Sequence, residues 1–275
     1  AEAFDFIQSH ELIPNCSILR LGDGLHSDWL DRLNSGTNPL LSLLRENLNF
    51  HKYKLELERA SILDPSVKVI LVNSNFIGDA VIRRYPEVKS KIILRRNWVE
   101  TDYYGDVGER NTPFSKFVFV GSGWRRKGLN GLIRAMNLSQ VNLGLDVVGR
   151  DKDRFKYQLY AKYKLDRRVN FLGKKKMEKA LYQNYKATTL PAMYEPFPNV
   201  AVESLLSGTP VISSHESGLV DFKGCEGVYI YRDTQEFIDI LKGFECCDHT
   251  VDRDFFKREF AKPAKNFFDD LVARL

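Results

Sequence analysis

Along the whole chain, short apolar runs rich in β-branched and aromatic residues alternate with longer stretches of helical periodicity, and few folds accommodate that alternation. A strand, a helix and a second strand of the same direction form a crossover unit, and such units build parallel sheets covered by helices. In the first third the sequence predicts strands at 4–9, 17–21, 67–73 and 91–94. A helix is predicted over 40–62, where Leu40, Leu41, Leu44, Leu48 and Leu55 recur at helical spacing, and another over 77–85, stopped by Pro86. Residues 97–113, NWVETDYYGDVGERNTP, hold turn residues and mixed charge without a sustained period, which marks a linker. The rhythm then restarts. Strands are predicted at 117–120, 143–148, 169–172, 188–191, 211–213 and 228–231, and helices at 128–138, 153–164, 177–185, 199–207 and 234–244. Phe256, Phe260, Ala264, Phe267, Leu271 and Leu275 form a last helical stripe that Pro263 should kink. The resulting boundaries are an N-terminal domain at 1–98, a linker at 99–112, a doubly wound α/β domain at 113–255 and a C-terminal helix at 256–275.

With 275 residues, 43% of them hydrophobic and 28% charged, the chain reads as globular and not disordered. No apolar run approaches the ~20 residues that span a bilayer, and no charged-then-apolar leader opens the sequence. Cys16, Cys225, Cys246 and Cys247 form neither a CxxC pair nor a His-rich cluster, so a reducing, cytoplasmic setting is the simplest reading. The net charge of +5, from 41 basic and 36 acidic residues, is too small for a dedicated nucleic-acid binder. That charge is uneven. The run KYKLDRRVNFLGKKKMEK from Lys162 to Lys179 is strongly basic, and reads either as a solvated face around a strand at 169–172 or as an anion site.

Gly121-Ser122-Gly123-Trp124-Arg125-Arg126-Lys127-Gly128 follows a predicted buried strand and opens a helix, where α/β proteins bind phosphate through backbone N–H groups and the helix dipole. Its spacing is not the GxGxxG of a dinucleotide site, and Leu129 stands where a P-loop needs lysine. What remains is a glycine turn with three consecutive cations, suited to a diphosphate; the alternative is an ordinary strand–turn–helix with a basic surface. Further on, Glu195 and Glu203 are separated by seven residues in YEPFPNVAVE. Glu195 leaves a strand at its carboxyl end and Glu203 lies one turn into the next helix, so both face the crevice where such sheets bind ligands. Ionised carboxylates accept several hydrogen bonds, and sugar hydroxyls are natural donors. The N–H groups of Phe197, Asn199 and Val200 face the same crevice, whereas Pro198 offers none; Glu203 equally suits a helix-dipole partner. Asp151-Lys152-Asp153 is a DxD pattern, but Asp252-Arg253-Asp254 repeats it, and loop carboxylates before a helix are usually caps, so no metal is expected. His10 and His26 each sit past the carboxyl end of a predicted strand, either as surface side chains or as site residues.

Taken together, FVFVGSGWRRKGL, LDVVGRD, VNFLG and LPAMYEPFPNVAVESLLSGTPVIS, spread over 117–214, resemble the retaining glycosyltransferases of family 4. The resemblance implies a GT-B fold: α/β, with two Rossmann-like doubly wound domains facing a cleft. VILVNSNFIGDAVIRRYP and KIILRRNWVETDYY are similar to the family's last N-domain strand and hinge, and FDFIQSHE with RLGDGLHSDWL is similar to a bacterial branch associated with lipopolysaccharide core assembly. On this alignment the chain opens at the family's His-bearing strand. The 1–98 domain is then an incomplete acceptor-side domain, 113–255 is the donor-binding domain, and 256–275 packs back towards the first. Two departures stand out: the segment between Ala187 and Leu190 is shorter than usual, and Pro198 replaces a glycine common in the family.

Carried over by motif, Arg126 and Lys127 bind the donor diphosphate and offset charge developing on the leaving group, with Gly121, Ser122 and Gly123 lining the turn. Glu203 holds the ribose, and Glu195 holds the transferred sugar beside Phe197, Asn199 and Val200. Arg150 and Gly173 lie near the base, and His10 matches an acceptor-side histidine that contacts the donor sugar. His10, Arg126, Lys127 and Glu195 are the implied catalytic residues. The implied reaction moves a hexose from a nucleotide-sugar, a UDP-sugar by preference, to a glycan or lipid-linked acceptor, with retention and without metal or other cofactor. The implied partners are donor, acceptor and an anionic inner-leaflet surface met through Arg83, Arg84, Arg95 and Arg96, with no nucleic acid. Two other classes stay open: a sugar-nucleotide epimerase of related two-domain fold, and a non-catalytic or truncated nucleotide-sugar-binding homologue.

Overall fold

The computed structural model describes residues 6–35, 38, 45, 48–99, 114–166, 168–175, 179–262, 267 and 271. The chain forms two compact units, one from Ala1–Asn97 with Pro263–Leu275 and the other from Trp98–Lys262. The linker expected at 99–112 lies outside the described residues apart from Val99, whose N–H donates to the Phe260 carbonyl within the second unit.

The first unit holds a four-stranded parallel sheet of β1 (Gln8–Ser9), β2 (Ile18–Leu21), β3 (Val69–Val72) and β4 (Ile92–Leu94), in that spatial order. Strands in chain order run outward in one direction, so no reversal occurs among the described strands of this sheet. β3 reads Val-Ile-Leu-Val and is buried throughout, as a strand covered on both faces must be. Leu271 packs with Ile18, Val69 and Leu71, which ties the C-terminal segment to this sheet.

Helices accompany it. α1 (His26–Asn34) was not foreseen, because no side chain of its own start caps it. Its cap comes from α2 (Asn49–Ile62). The buried Glu58 carboxylate accepts the N–H groups of His26 and Ser27, the Ser27 hydroxyl at 2.6 Å and the Tyr85 hydroxyl at 3.0 Å. Within the helix expected over 40–62, Arg45 is helical, Leu48 interrupts the run in an extended conformation at ψ 130°, and α2 starts at Asn49; residues 39–44 and 46–47 lie outside the described residues. α3 (Asn75–Arg84) starts two residues earlier than expected because Ser74 Oγ accepts from the Ile77 N–H.

The second unit is a six-stranded parallel sheet of β5 (Lys116–Val120), β6 (Gly144–Val148), β7 (Val169–Gly173), β8 (Thr188–Leu190), β9 (Val211–Ser214) and β10 (Val228–Tyr231). The spatial order is β10-β9-β8-β5-β6-β7. From β5 the chain winds out through β6 to β7, then returns to the other side of β5 and winds out again. The crevice of a doubly wound sheet opens where that reversal occurs, at the carboxyl ends of β5 and β8.

Helices α4 (Leu129–Ser139), α5 (Arg154–Leu165), α6 (Lys179–Tyr182), α7 (Asn199–Leu206), α8 (Thr234–Cys246) and α9 (Arg253–Glu259) complete it. Phe117, Phe119, Trp124, Leu132, Ile133 and Leu241 form the larger core cluster, and Phe197, Leu205, Phe222, Phe256 and Phe260 belong to a second. α6 ends at Tyr182, short of the end expected at 185, because the Lys186 N–H already bonds the Lys116 carbonyl and the chain must be extended to enter β8; residues 177–178 lie outside the described residues. No described helix is long and apolar enough to cross a membrane.

Candidate functional site

The turn after β5 is shaped by what glycine permits. Gly128 caps α4 at φ 76°, and a Cβ there would lie 1.7 Å from the Pro191 carbonyl oxygen. Likewise a Cβ on Gly149, just past β6, would lie 1.9 Å from the Gly121 oxygen. These two approaches bring the ends of β5, β6 and β8 together. The Gly149 N–H also donates to the Gly173 carbonyl at 2.8 Å, which adds the end of β7.

Trp124 anchors the turn from beneath. It is buried, its N–H donates to Asp151 Oδ2 at 2.7 Å and its indole N–H to the Gly121 carbonyl at 3.0 Å. Its ring packs edge-on to Tyr157 and against Phe171. Asp151 Oδ1 receives the Asp153 N–H at 2.9 Å, and Asp153 pairs with Lys156 at 3.1 Å. The DxD pattern therefore holds the turn and the start of α5. Among the described residues no group of three or more His, Cys, Asp or Glu side chains could hold a metal ion.

With Trp124 fixed, the cations that follow reach across to the end of β8. Arg126 Nη1 donates to Glu195 Oε2 at 3.2 Å and to the Tyr194 carbonyl at 3.0 Å, while its own carbonyl accepts the Met193 N–H at 2.9 Å. Lys127 Nζ bonds the same Glu195 oxygen. The Glu195 backbone is held as firmly. Its N–H donates to the Glu216 carbonyl and its carbonyl accepts from Gly218, both at 2.9 Å, in an isolated parallel bridge to Ser217. Two cations thus meet one carboxylate, Lys127 and Glu195 largely buried and Arg126 half-exposed. The Arg150 N–H donates to Ser122 Oγ at 3.3 Å, which joins the loops after β6 and β5.

Glu203 lies on α7, a helix that buries Ala201, Val202, Leu205 and Leu206 and starts at Pro198 with no side-chain cap. Its Oε2 accepts the hydroxyl of the fully buried Tyr182 at 2.7 Å. Burial raises the Glu203 pKa above the ordinary carboxylate range, and the Tyr182 hydrogen bond pulls it the other way. No described contact links Glu203 to Glu195, Arg126 or Lys127. The Phe197 ring is a core element packed edge-on against Phe260, with Asn199 and Val200 opening α7 beyond it.

The structure thus brings together Arg126, Lys127 and Glu195, and sets Gly121, Ser122, Gly123, Arg150 and Gly173 around them at strand ends. His10 belongs to the first unit, just past β1, exposed and bonded to Gln8 Nε2 at 2.7 Å. His26 is stacked on His51, with Nε2 3.0 Å from His51 Nδ1, and burial lowers its pKa. Sequence reasoning missed two supporting residues, Tyr182 behind Glu203 and Asp151 as the clamp on Trp124.

Residues 106–224, which span the glycine turn, both glutamates and every loop of this crevice, match the family model described as glycosyl transferases group 1. That stretch is similar to a group 1 glycosyl transferase domain. Over 196 residues the chain is 35% identical to an uncharacterized glycosyltransferase of Methanocaldococcus jannaschii, covering 63% of this chain and 49% of that protein. The chain therefore spans about half the length of the curated relative it matches. Among solved structures it is similar to WaaG, a glycosyltransferase involved in lipopolysaccharide biosynthesis, with a TM-score of 0.73 at 18% identity over 89% of this chain and 70% of that one. It is also similar to the Anabaena protein HepE in complex with UDP, with a TM-score of 0.67 at 15% identity over 94% of this chain and 72% of that one. At these identities the structural likeness shows the fold, α/β with parallel sheets as in GT-B glycosyltransferases.

Proposed function

We propose that this chain is the donor-binding part, with a portion of the acceptor side, of a retaining family 4 hexosyltransferase. The reading takes a UDP-sugar as donor and a glycan or lipid-linked acceptor of cell-surface polysaccharide synthesis, such as lipopolysaccharide, at the cytoplasmic face of the membrane. One observation carries it: Arg126 and Lys127 converge on Glu195 where the ends of β5 and β8 meet, inside the stretch similar to a group 1 glycosyl transferase domain. Cations at a helix start suit a diphosphate, and a carboxylate beside them suits sugar hydroxyls. The solved complex of HepE with UDP, a protein of the same fold, supports the choice of base.

In this reading the donor diphosphate takes Arg126 and Lys127, the sugar hydroxyls take Glu195, and Glu203, held by Tyr182, takes the ribose. The acceptor hydroxyl forms the new C–O bond at the anomeric carbon on the face from which the diphosphate departs. Its proton passes to the leaving phosphate, and the two cations offset the charge that develops there. His10 is the acceptor-side contact. Lysine and arginine supply the positive charge that a metal would otherwise bring, so the reaction runs without one.

Calorimetry with UDP-, GDP- and ADP-sugars, repeated in EDTA, tests the donor site, and the anomeric configuration of the product, read by NMR, tests retention. Preference for a UDP-sugar, unchanged by EDTA, supports the reading. Affinity lost in EDTA and restored by Mn²⁺ would overturn the metal-free part, and an inverted product would overturn retention. Binding without turnover would assign a non-catalytic binder instead.

A further inference from the structure

α5 buries Tyr157, Ala161 and Leu165 against the second sheet. Its opposite face is not polar. Phe155, Leu159 and Tyr163 recur every fourth residue there and are 71%, 52% and 82% exposed. Scattered single apolar side chains on a surface need no explanation, but three in register on one helix form a stripe. At 100° per residue the stripe spans roughly 80° of the helix, with Lys162 on one flank and, on the other, the exposed Lys156, whose ammonium also reaches Asp153 at 3.1 Å. Lys152 lies one turn before Phe155, and Lys164 Nζ sits 5.0 Å over the Tyr163 ring. On the adjoining edge strand β7, Leu172 is exposed as well.

Charge concentrates at the same place. Residues 152–168 hold seven basic and two acidic side chains, a net +5 equal to that of the whole chain, so the remaining residues sum to neutrality. The sequence pointed instead to arginines of the first unit. There Arg83 and Arg84 lie 3.8 and 3.7 Å from the buried Asp28, Arg84 also bonds Asp31, and Arg95 stacks over the Phe267 ring at 5.0 Å.

The shape of the α5 face selects its partner. Three side chains of this size and exposure offer on the order of 350 Å² of apolar area, against the ~1,000 Å² that a specific protein interface needs. The surface is a convex helix, not a groove, and its cations are lysines, which suit a loose field of anions better than a bidentate partner. An apolar stripe with lysines on both flanks matches a helix lying in the headgroup layer of a bilayer, its lysine stems reaching up to the phosphates.

We propose that the outward face of α5 docks the second unit onto an anionic lipid bilayer, with Phe155, Leu159 and Tyr163 entering the headgroup layer and Lys152, Lys156 and Lys162 pairing with lipid phosphates. Each lysine close to such a surface is worth roughly a fivefold gain in affinity.

The test is co-sedimentation with phosphatidylcholine vesicles, either pure or carrying about 30% phosphatidylglycerol. The parent should sediment with the anionic vesicles at low salt and be released at about 0.5 M salt. Combined Lys152→Glu, Lys156→Glu and Lys162→Glu should lower binding about a hundredfold or more, and combined Phe155→Ser, Leu159→Ser and Tyr163→Ser should abolish it. A charge-matched control in the first unit, Lys52→Glu, Lys68→Glu and Lys89→Glu, should lose no more than about fivefold. Melting temperatures equal to the parent's establish that each variant is folded. The proposal is overturned if the parent ignores anionic vesicles at low salt, if the control loses as much as the α5 variant, or if the serine variant binds like the parent. A parent that self-associates through the stripe, with the serine variant monomeric, overturns it too. None of these readings depends on which donor the site takes.

Discussion

Replacing Glu203 with glutamine should stabilise the protein while weakening its hold on a nucleotide-sugar. The Glu203 carboxyl is partly buried, which raises its pKa, with the Tyr182 hydroxyl as the opposing influence. A carboxyl whose folded pKa lies above its unfolded one favours the fold in its protonated form. That contribution is complete below the unfolded pKa and is lost as pH rises through the folded one. At neutral pH the ionised side chain therefore costs stability, and the amide of Glu203→Gln, which keeps an oxygen for Tyr182, removes the cost. The melting temperature should rise at about pH 7 and match the parent at about pH 4, where the parent's carboxyl is protonated as well. Binding should move the other way. A hydrogen bond to an ionised group contributes ~1.5–3 kcal/mol against ~0.5–1.5 for a neutral one, so the exchange costs ~1–2 kcal/mol, about five- to thirtyfold in Kd. Scanning fluorimetry at the two pH values and calorimetry with a UDP-sugar read both arms. A lower melting temperature at neutral pH, or a shift that persists in acid, would refute the burial argument; an unchanged Kd would refute contact with the ribose.

Three further outcomes follow from the geometry. Lys127→Ala removes a largely buried cation from the turn and should weaken a nucleotide-sugar about ten- to a hundredfold by calorimetry, with parent-like affinity counting against the diphosphate role. Gly128→Ala places a Cβ 1.7 Å from the Pro191 carbonyl at a left-handed φ, so it should destabilise the second unit by several kcal/mol, roughly the upper range for single substitutions; a denaturant midpoint like the parent's would contradict it. Glu58→Ala strips an acceptor from four donors around the start of α1 and should cost at least ~3 kcal/mol. Hydrogen exchange should show that loss first in His26–Asn34, and unchanged protection there would dismiss Glu58 as the cap.

The parts of this fold that were legible are those whose signal is local. β3, β5 and β6 show as short apolar runs because a central parallel strand buries both faces, and α8 begins at Thr234 as expected, behind an Asp233 cap. α1 was not legible for the opposite reason: the acceptor for its first N–H groups is Glu58, more than 30 residues further along. α6 ends early through a pairing made elsewhere in the sheet, which no propensity within 177–185 encodes. At the site, the glycine turn and the two glutamates stood out by spacing. That Arg126 and Lys127 bond Glu195 itself depends on β5 and β8 being neighbours, and sequence order places β6 and β7 between them. Tyr182 reaches Glu203 from a separate element, with nothing in its own surroundings to distinguish it from a core tyrosine.

Because Glu195 already occupies both Arg126 and Lys127, any diphosphate that enters must compete with a seated carboxylate. The carboxylate it displaces then needs hydrogen-bond donors of its own. A bare nucleotide brings an anion and no such donor, so it is a poor competitor. In the proposed reading a nucleotide-sugar brings both, phosphates for the cations and hydroxyls for Glu195, and should be selected over its own fragments. In the same reading Glu195 would return to the cations once the sugar had been passed on, and so weaken the hold on the spent nucleotide. On that reading, weak inhibition by the spent nucleotide is expected from three side chains of a single unit.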